Sequence, residues 1–378
     1  MTFSRSDSGR WKAKRAYVSF QPTGDLPRTG FRGDTFFVSQ KRGDLQHCPF
    51  PDDPKLPAAG RMVSRLEQAE ASPVKVLRYV PLRRLTLRGP WASATPGPAV
   101  VKVIENGGAA HIAAKLEAIE DAARRGRVSF SVATPIAHDE GAATFVQACL
   151  PGVPLSEWIQ ADDLEAVLRR VGATHAEVHA LPLAPGSHPP VADPFPTVLE
   201  RLDWLRFVRP GKAELLRGVQ ARLEASRPDP ARSRDVFCHG DFRCTQVLAD
   251  GERWSVIDFD DAGPGPACLD VGRFLAFLKY DLPLLATAAW GDAAASAMLA
   301  RAEAAYLDGY AGRSGAAPDP RGLLWHRGCQ EILYLAQLVR RDLADEPAFE
   351  AGCGWIERLT AGLGSPAGGP KGGGKKVN

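Results

Sequence analysis

The chain has 378 residues, of which 44% are hydrophobic and 24% charged. Typical domains have roughly 100–200 residues, so two packed units are expected, and a peptide hormone or a small disulfide-stapled scaffold is excluded. The net charge of +3 is too small to indicate a nucleic-acid partner. Much of the positive charge lies at the ends, since residues 1–45 hold nine Lys/Arg against four Asp/Glu. We predict that these ends are solvated and assign them no function.

The cysteines and the N-terminus bear on the compartment. The seven cysteines are scattered and include no C-x-x-C pair, so neither a disulfide framework nor a zinc knuckle is predicted. The chain starts with MTFSRSDSGRWKAKR, which lacks the apolar segment of a signal peptide. No stretch approaches the length of about 18 apolar residues that a membrane span needs. We therefore expect a cytoplasmic protein without membrane association.

The first 70 residues give the least regular pattern. Short segments of β-type composition occur at residues 16–21 and 35–40, separated by Pro, Gly and Asp. We treat residues 1–70 as an N-terminal extension. Our hypothesis is that it adds strands to the lobe that follows.

A clear strand pattern comes next. Residues 74–80 and 85–88 predict a hairpin, and residues 99–104 predict a third strand in which Lys102 interrupts an apolar run. Apolar residues spaced four and three apart then predict a helix over residues 109–125. The lysine inside the third strand requires an explanation.

The chain then changes from strands to helices. Strands are predicted at residues 128–137 and 143–150, which completes a small β-rich lobe over residues 71–150. Residues 151–362 have mainly helical spacing and form a predicted second, larger lobe. The tail, residues 363–378, is rich in Gly, Pro and Lys and is predicted to be disordered. The predicted helices in the later part are 211–226, 268–280, 284–311, 321–344 and 346–362.

One β segment, residues 236–260, interrupts the helices and carries the densest polar chemistry. An apolar strand leads into Asp241, Gln246 follows five positions later, and a second apolar strand ends at Asp258. This order predicts three oxygen-bearing side chains at one edge. Phosphoryl transfer needs such a set, because one carboxylate orients or deprotonates the attacking hydroxyl while an amide and a second carboxylate hold Mg²⁺ on the nucleotide phosphates.

These motifs resemble those of the aminoglycoside phosphotransferase and choline kinase-like family of small-molecule kinases. Residues 239–246, HGDFRCTQ, are similar to the family's H-G-D-x-x-x-x-N. Residues 257–260, IDFD, and 265–271, GPACLDV, are similar to its I-D-[FW]-[DE] and G-x-P-x-x-D-[LV]. Residues 171–179, VGATHAEVH, are similar to its G-x-x-L-A-x-L-H helix. The resemblance covers about residues 74–345.

The resemblance implies a protein-kinase-like bilobal fold of the α+β class, with a small β-rich N-lobe that binds ATP and a larger, mainly helical C-lobe that binds the acceptor. It makes Asp241 the catalytic base and Gln246 with Asp258 the magnesium ligands. Lys102 would reach the α- and β-phosphates of ATP.

The same resemblance implies two further contacts in the N-lobe. The acidic partner of Lys102 should come from the following helix, where Glu117 is preferred over Glu120. The hinge that contains Gln147 and Cys149 would hydrogen-bond adenine through its backbone.

The sequence departs from the family pattern at two places. Gln246 replaces the usual Asn; it keeps an amide oxygen but adds a methylene, and some bacterial members of the family also carry Gln here. The first hairpin has Pro81-Leu82-Arg83-Arg84 and no G-x-G-x-x-G. Arg83 or Arg84 would supply positive charge over the phosphates, or else face water.

Several polar residues have a simpler structural interpretation. His239 is expected to be a hydrogen-bonded scaffold for the loop, and Asp270 a helix cap or a brace for that loop. Asp260 is expected either to touch substrate or metal or to be an ordinary loop acid, and Lys102 has the alternative of reaching solvent from an edge strand. The histidines without ligand spacing, expected to be structural or solvated, are His111, His138, His175, His179 and His326.

The acceptor is not specified. Residues 241–310 contain eleven acids and five bases, a surplus that favours a cationic acceptor such as an aminoglycoside. The main hypothesis is an ATP- and Mg²⁺-dependent kinase acting on a hydroxyl of an aminoglycoside, a sugar or an amino alcohol. A kinase acting on peptide Ser/Thr of a natural-product precursor and a pseudokinase binding module are the alternatives. The oligomeric state is left open.

Overall fold

The computed structural model describes residues 53–364, apart from residues 54, 69–73, 81, 92–96, 106–107, 183–188, 230–234, 291 and 342, together with the backbone of short strands before residue 50. The predicted disordered tail lies almost entirely outside the described residues. The chain divides into two compact units. The first comprises Met1–Gly152 and Arg253–Asp260, and the second Val153–Glu252 and Asp261–Asn378.

The strands, in chain order, are β1 (Thr2–Arg5), β2 (Trp11–Arg15), β3 (Val18–Ser19), β4 (Gly24–Asp25), β5 (Asp34–Val38), β6 (Leu45–Pro49), β7 (Lys75–Val80), β8 (Arg84–Pro90), β9 (Pro98–Ile104), β10 (Pro135–Asp139), β11 (Thr144–Ala148), β12 (Val153–Pro154), β13 (Asp235–Cys238), β14 (Val247–Asp250), β15 (Arg253–Val256) and β16 (Gly263–Pro266). The α-helices are α1 (Ala59–Glu67), α2 (Ala109–Arg124), α3 (Leu155–Trp158), α4 (Leu164–His179), α5 (Phe195–Val208), α6 (Ala213–Ala225), α7 (Ala267–Asp281), α8 (Ala293–Ser314), α9 (Pro320–Arg340) and α10 (Glu346–Ala361).

The first unit is built on an antiparallel sheet with the strand order β10-β11-β9-β8-β7-β4. The hairpin and the third strand are present as the sequence predicted, as β7, β8 and β9. In β9, Val101 and Val103 are fully buried, and Lys102 lies between them on the opposite face of the strand. Strand β4, from the N-terminal extension, pairs with β7 at the edge of this sheet.

The sequence did not predict α1, which packs on β8 of the sheet. Ala59, Val63 and Leu66 of this helix are buried in the same core as the sheet residues. Just before the helix, the buried carboxylate of Asp53 accepts hydrogen bonds from the Leu82 backbone N–H at 2.7 Å and from the Tyr79 hydroxyl at 2.9 Å. The chain before the hairpin therefore anchors the β7–β8 turn.

The second unit is mainly helical. The start of the helix predicted at 284–311 is wrong, because residues Pro283–Trp290 form a 3-10 helix and α8 begins only at Ala293. The side chain of Asp292 caps α8 by accepting a hydrogen bond from the Ala295 N–H. Helix α5 was not predicted. Tyr306 of α8 and Trp325 of α9 are buried and fill the core of this unit.

Helices α4 and α8 approach closely at two glycines. A Cβ added at Gly172 would overlap the carbonyl of Tyr306, and one added at Gly309 would overlap the carbonyl of Arg169. This close approach brings His175 and His179 of α4 beside Tyr306 and Tyr310 of α8. Within the described part of the chain, no helix is both long and apolar enough to cross a membrane.

Candidate active site

In the first unit, Lys102 is at the centre of a cluster of charges. Its side chain is 5% exposed, and Nζ lies 2.7 Å from Asp258 Oδ1 and 2.6 Å from Asp260 Oδ1. Arg84 of β8 also forms ion pairs with both carboxylates. Lys102 therefore does not reach solvent from an edge strand. Asp260 is not an isolated loop acid, and Arg84 faces the two acids while Arg83 is exposed.

The backbone of Asp258 is strained. Its φ of 67° lies in the left-handed region, which costs a non-glycine residue about 1–3 kcal/mol and persists only where the surroundings enforce it. The strand before it, β15, is held by Ser131, whose backbone N–H donates to Trp254 and whose carbonyl accepts from Val256. Asp258 therefore follows a fixed strand and turns sharply toward Lys102.

The prediction that Glu117 pairs with Lys102 is wrong in this structure. The buried face of α2 carries Ile112, Lys115, Leu116 and Ile119, and this phase leaves Glu117 exposed. Glu120 accepts a hydrogen bond from the Thr134 hydroxyl at 3.1 Å. The charged residue that α2 turns inward is Lys115.

The hinge residues lie at the end of β11. Gln147 is buried, and the backbone N–H groups of Ala148 and Cys149 donate to the carbonyls of Thr134 and Pro98, at 2.9 and 3.0 Å. The N–H of Cys149 is thus already bonded within the sheet. An adenine contact through that donor does not fit this arrangement, because a donor engaged in the sheet is not available to a base.

In the second unit, the buried carboxylate of Asp270 holds the His239-Gly240-Asp241 loop. Its Oδ2 accepts from the His239 N–H at 2.6 Å and its Oδ1 from the Gly240 N–H at 3.0 Å. The predicted role of Asp270 as a brace is confirmed. Gly240 has φ +83°, and a Cβ there would lie 2.5 Å from the Asp261 carbonyl oxygen, so this turn requires glycine.

Two histidines support Asp270 from α4. His175 Nε2 and His179 Nε2 lie 3.2 and 3.4 Å from Asp270 Oδ2, and the Nδ1 atoms lie 2.6 and 2.7 Å from the hydroxyls of Tyr306 and Tyr310. An ionised carboxylate only accepts, so each Nε2–H donates to it and each Nδ1 accepts from a tyrosine hydroxyl. His175, His179 and Asp270 lie close enough together to hold a metal ion. All four ring nitrogens of the two histidines, however, are already engaged in hydrogen bonds.

Burial sets the protonation of this cluster. Burial and the neighbouring His179 lower the pKa of His175 to about 3, so the ring is neutral at physiological pH. Burial alone would raise the pKa of Asp270, but the hydrogen bonds from His175 and His179 outweigh it and hold that pKa well below its usual range. The brace is therefore a carboxylate that accepts hydrogen bonds from two buried imidazoles, of which His175 is neutral. The structural reading of His175 and His179 is confirmed.

Asp241 lies directly after the braced turn. Its backbone N–H donates to His239 Nδ1 at 3.3 Å, which confirms His239 as a scaffold of the loop. The Asp241 carboxylate is 30% exposed and has Arg273 of α7 at 3.9 Å. Gln246 ends a short 3-10 helix, Cys244–Gln246, and is partly exposed. Arg243, between them, pairs with the nearly buried carboxylate of Asp281.

Several of the acids between residues 241 and 310 are paired with arginines. The ion pairs are Asp281 with Arg243, Glu303 with Arg327, Asp308 with Arg169, and Glu252 with Arg170. Three of these arginines come from outside that segment. The local count of acids therefore does not by itself favour a cationic acceptor.

Phosphotransferases with the protein-kinase-like fold use a strand lysine, a metal-binding acid and a loop that contains a catalytic Asp. A model of the phosphotransferase enzyme family, APH, matches residues 88–317. The chain belongs to this family and is a small-molecule phosphotransferase with a hydroxyl acceptor. The comparison with curated proteins gave no match.

Solved structures support the α+β kinase-like fold. A glucosamine kinase in complex with glucosamine, ADP and inorganic phosphate is 20% identical, with a TM-score of 0.52 over 90% of this chain and 96% of that chain. A GDP complex of aminoglycoside 2'-phosphotransferase-IIIa is 15% identical, with a TM-score of 0.50 over 82% of this chain and 99% of that chain. The predicted fold class is confirmed.

Proposed function

We propose that the protein transfers the γ-phosphate of ATP, with Mg²⁺, to a hydroxyl of a small molecule of the sugar, aminoglycoside or amino-alcohol type. The observation that carries this proposal is the cluster of Lys102 with Asp258 and Asp260, in which the left-handed backbone of Asp258 is held beside a buried ammonium. Such strain is maintained where a carboxylate must be aimed.

Asp241 is the proposed catalytic base. The braced loop fixes its backbone, and its partly exposed carboxylate can accept a proton from the acceptor hydroxyl. Arg273 at 3.9 Å favours the ionised form that a base requires. Lys102 is proposed to bind the α- and β-phosphates, as a lysine at this strand position does in protein kinases.

Asp258 and Gln246 are the proposed ligands of Mg²⁺. The donor set fits, because carboxylate and amide oxygens are the ligands that Mg²⁺ prefers, and the Asp258 side chain is 22% exposed. When bound, Mg²⁺ neutralises charge on the phosphates. The chain's part is to hold these oxygens in place. Gln246 does so at the end of a short 3-10 helix, and Asp258 does so through its turn.

The nucleotide is proposed to lie near the hinge. ADP and GDP are bound by the two similar structures described above. Since the Cys149 N–H is bonded to Pro98, adenine would meet other backbone groups of residues 147–150, in particular carbonyls that can accept from its amino group. Gln147 is proposed to support this segment from inside the sheet.

The test is an acceptor screen by release of ADP from ATP and Mg²⁺. The panel contains glucosamine, neutral hexoses, choline, ethanolamine, aminoglycosides and Ser/Thr peptides, and the comparison variant is Asp241→Asn. We expect one small-molecule class to stimulate ADP release and Asp241→Asn to abolish it. If only peptides stimulated ADP release, the acceptor would be a peptide and not a small molecule. No nucleotide turnover with any acceptor would contradict the proposal.

A further inference from the structure

Helix α2 buries a lysine against the segment that carries the acids. Lys115 is 2% exposed and is among the largest fully buried side chains in the described residues. Burying an ammonium group is costly unless hydrogen bonds compensate for the lost water. A lysine at this position therefore has to be held by specific acceptors.

Those acceptors are backbone carbonyls of the acidic segment. Lys115 Nζ donates to the carbonyl oxygen of Phe259 at 3.1 Å and to that of Asp260 at 2.9 Å. Both carbonyls follow directly after the strained turn at Asp258. Lys115 thus holds the backbone of this segment, while Lys102 holds the carboxylates of Asp258 and Asp260.

This arrangement differs from the ion pair between a strand lysine and a helix glutamate that organises protein-kinase sites. Here Glu117 is exposed, and the inward charge of α2 has the opposite sign. A cation on α2 cannot attract Lys102. It can, however, bind the carbonyls of the segment to which Lys102 is already paired.

We propose that Lys115 is a positioning residue, which links α2 to the Phe259–Asp260 backbone and thereby keeps the Asp258 carboxylate in its metal-binding orientation. This inference rests on the proposed function, because it concerns the affinity of that site for a metal–nucleotide complex. Without the two hydrogen bonds, the left-handed turn at Asp258 loses one of the contacts that enforce it.

The test uses binding of ADP with Mn²⁺ to the full chain, measured by calorimetry and by the electron paramagnetic resonance signal of free Mn²⁺. The variants are Lys115→Met, which removes all donors, and Lys115→Gln, which keeps an amide donor. Lys75→Met is the matched control, because Lys75 is an exposed lysine of β7 in the same unit. Circular dichroism checks folding of each variant.

We expect Lys115→Met to weaken Mn²⁺–ADP binding at least tenfold, Lys115→Gln to recover part of that loss, and Lys75→Met to bind like the wild type. Equal binding by wild type and Lys115→Met would overturn the inference, as would a tenfold loss in Glu117→Gln with none in Lys115→Met. If both Lys115 variants unfolded, Lys115 would serve only the stability of the core, and the inference would also be overturned. Failure of the wild type to bind would count against the proposed function itself.

Discussion

The brace at Asp270 gives the sharpest prediction about stability. Asp270 uses both carboxylate oxygens, for two backbone N–H groups and two imidazoles, and it is fully buried. In Asp270→Asn one of these oxygens becomes an NH₂ group. The side chain then presents a donor to groups that also donate.

The cost follows from those contacts. Leaving one buried donor unsatisfied costs about 1–3 kcal/mol, and losing the negative charge weakens the remaining bonds, which are worth roughly 1.5–3 kcal/mol each when charged. We expect Asp270→Asn to lower the free energy of unfolding by about 3–5 kcal/mol, the sum of one unsatisfied buried donor and the weakening of the remaining hydrogen bonds.

The assay is urea unfolding of the full chain, followed by tryptophan fluorescence at pH 7.5. Asp308→Asn serves as the matched control, since its carboxylate is 69% exposed in an ion pair with Arg169, and we expect a change below about 1 kcal/mol. A loss of 1 kcal/mol or less in Asp270→Asn would refute the view that this carboxylate holds the loop.

Three further predictions concern packing, pH and a buried charge pair. Gly309→Ala should destabilise the second unit because the added Cβ overlaps the Arg169 carbonyl. Gly312→Ala on the same helix has open space around it and should stabilise the unit by about 1 kcal/mol, and thermal unfolding distinguishes the two variants. Burial lowers the pKa values of His175 and His326 to about 3 and 4, below the unfolded value near 6.5, so the unfolded state takes up protons first. Stability is then complete above about pH 6.5 and falls as pH drops, by up to about 1.4 kcal/mol per pH unit for each histidine, and a flat profile from pH 7 to 5 would contradict this. Lys279→Met should cost about 3–5 kcal/mol because it removes the ammonium group that pairs with the buried carboxylate of Glu331, and adding Glu331→Gln should recover much of that loss in urea unfolding.

The strands of the first unit could be predicted because their residues alternate and their turns are marked. The sequence also indicated which face of α2 is buried. Lys115 lies three residues after Ile112 and four before Ile119, so it shares their buried face, whereas Glu117 does not. The prediction failed because a lysine is ordinarily assigned to solvent, and only the carbonyls of Phe259 and Asp260 make its burial favourable.

The histidine brace had a readable signal too. His175 and His179 are four residues apart on α4, and Tyr306 and Tyr310 repeat the same spacing on α8. Residues four apart lie on the same face of a helix, so each pair predicts one helix face that carries two polar side chains. What the sequence alone does not contain is the pairing of α4 with α8, which depends on the close approach at Gly172 and Gly309.

Local sequence patterns could not predict the role of Asp53 or the presence of α1. The Asp53 carboxylate accepts its hydrogen bond from the backbone of Leu82, which is 29 residues further along the chain. Helix α1 is short, and its stability comes from packing on β8.

Calorimetric titration of ATP, with and without Mg²⁺, into wild type, Asp258→Asn and Asp241→Asn tests the proposed site most directly. We expect the wild type to bind ATP tightly only with Mg²⁺, Asp258→Asn to lose this Mg²⁺-dependent binding, and Asp241→Asn to keep it, because a catalytic base is not needed to hold the nucleotide. Equal Mg²⁺-dependent binding by wild type and Asp258→Asn, or no ATP binding by the wild type, would contradict the proposed nucleotide site.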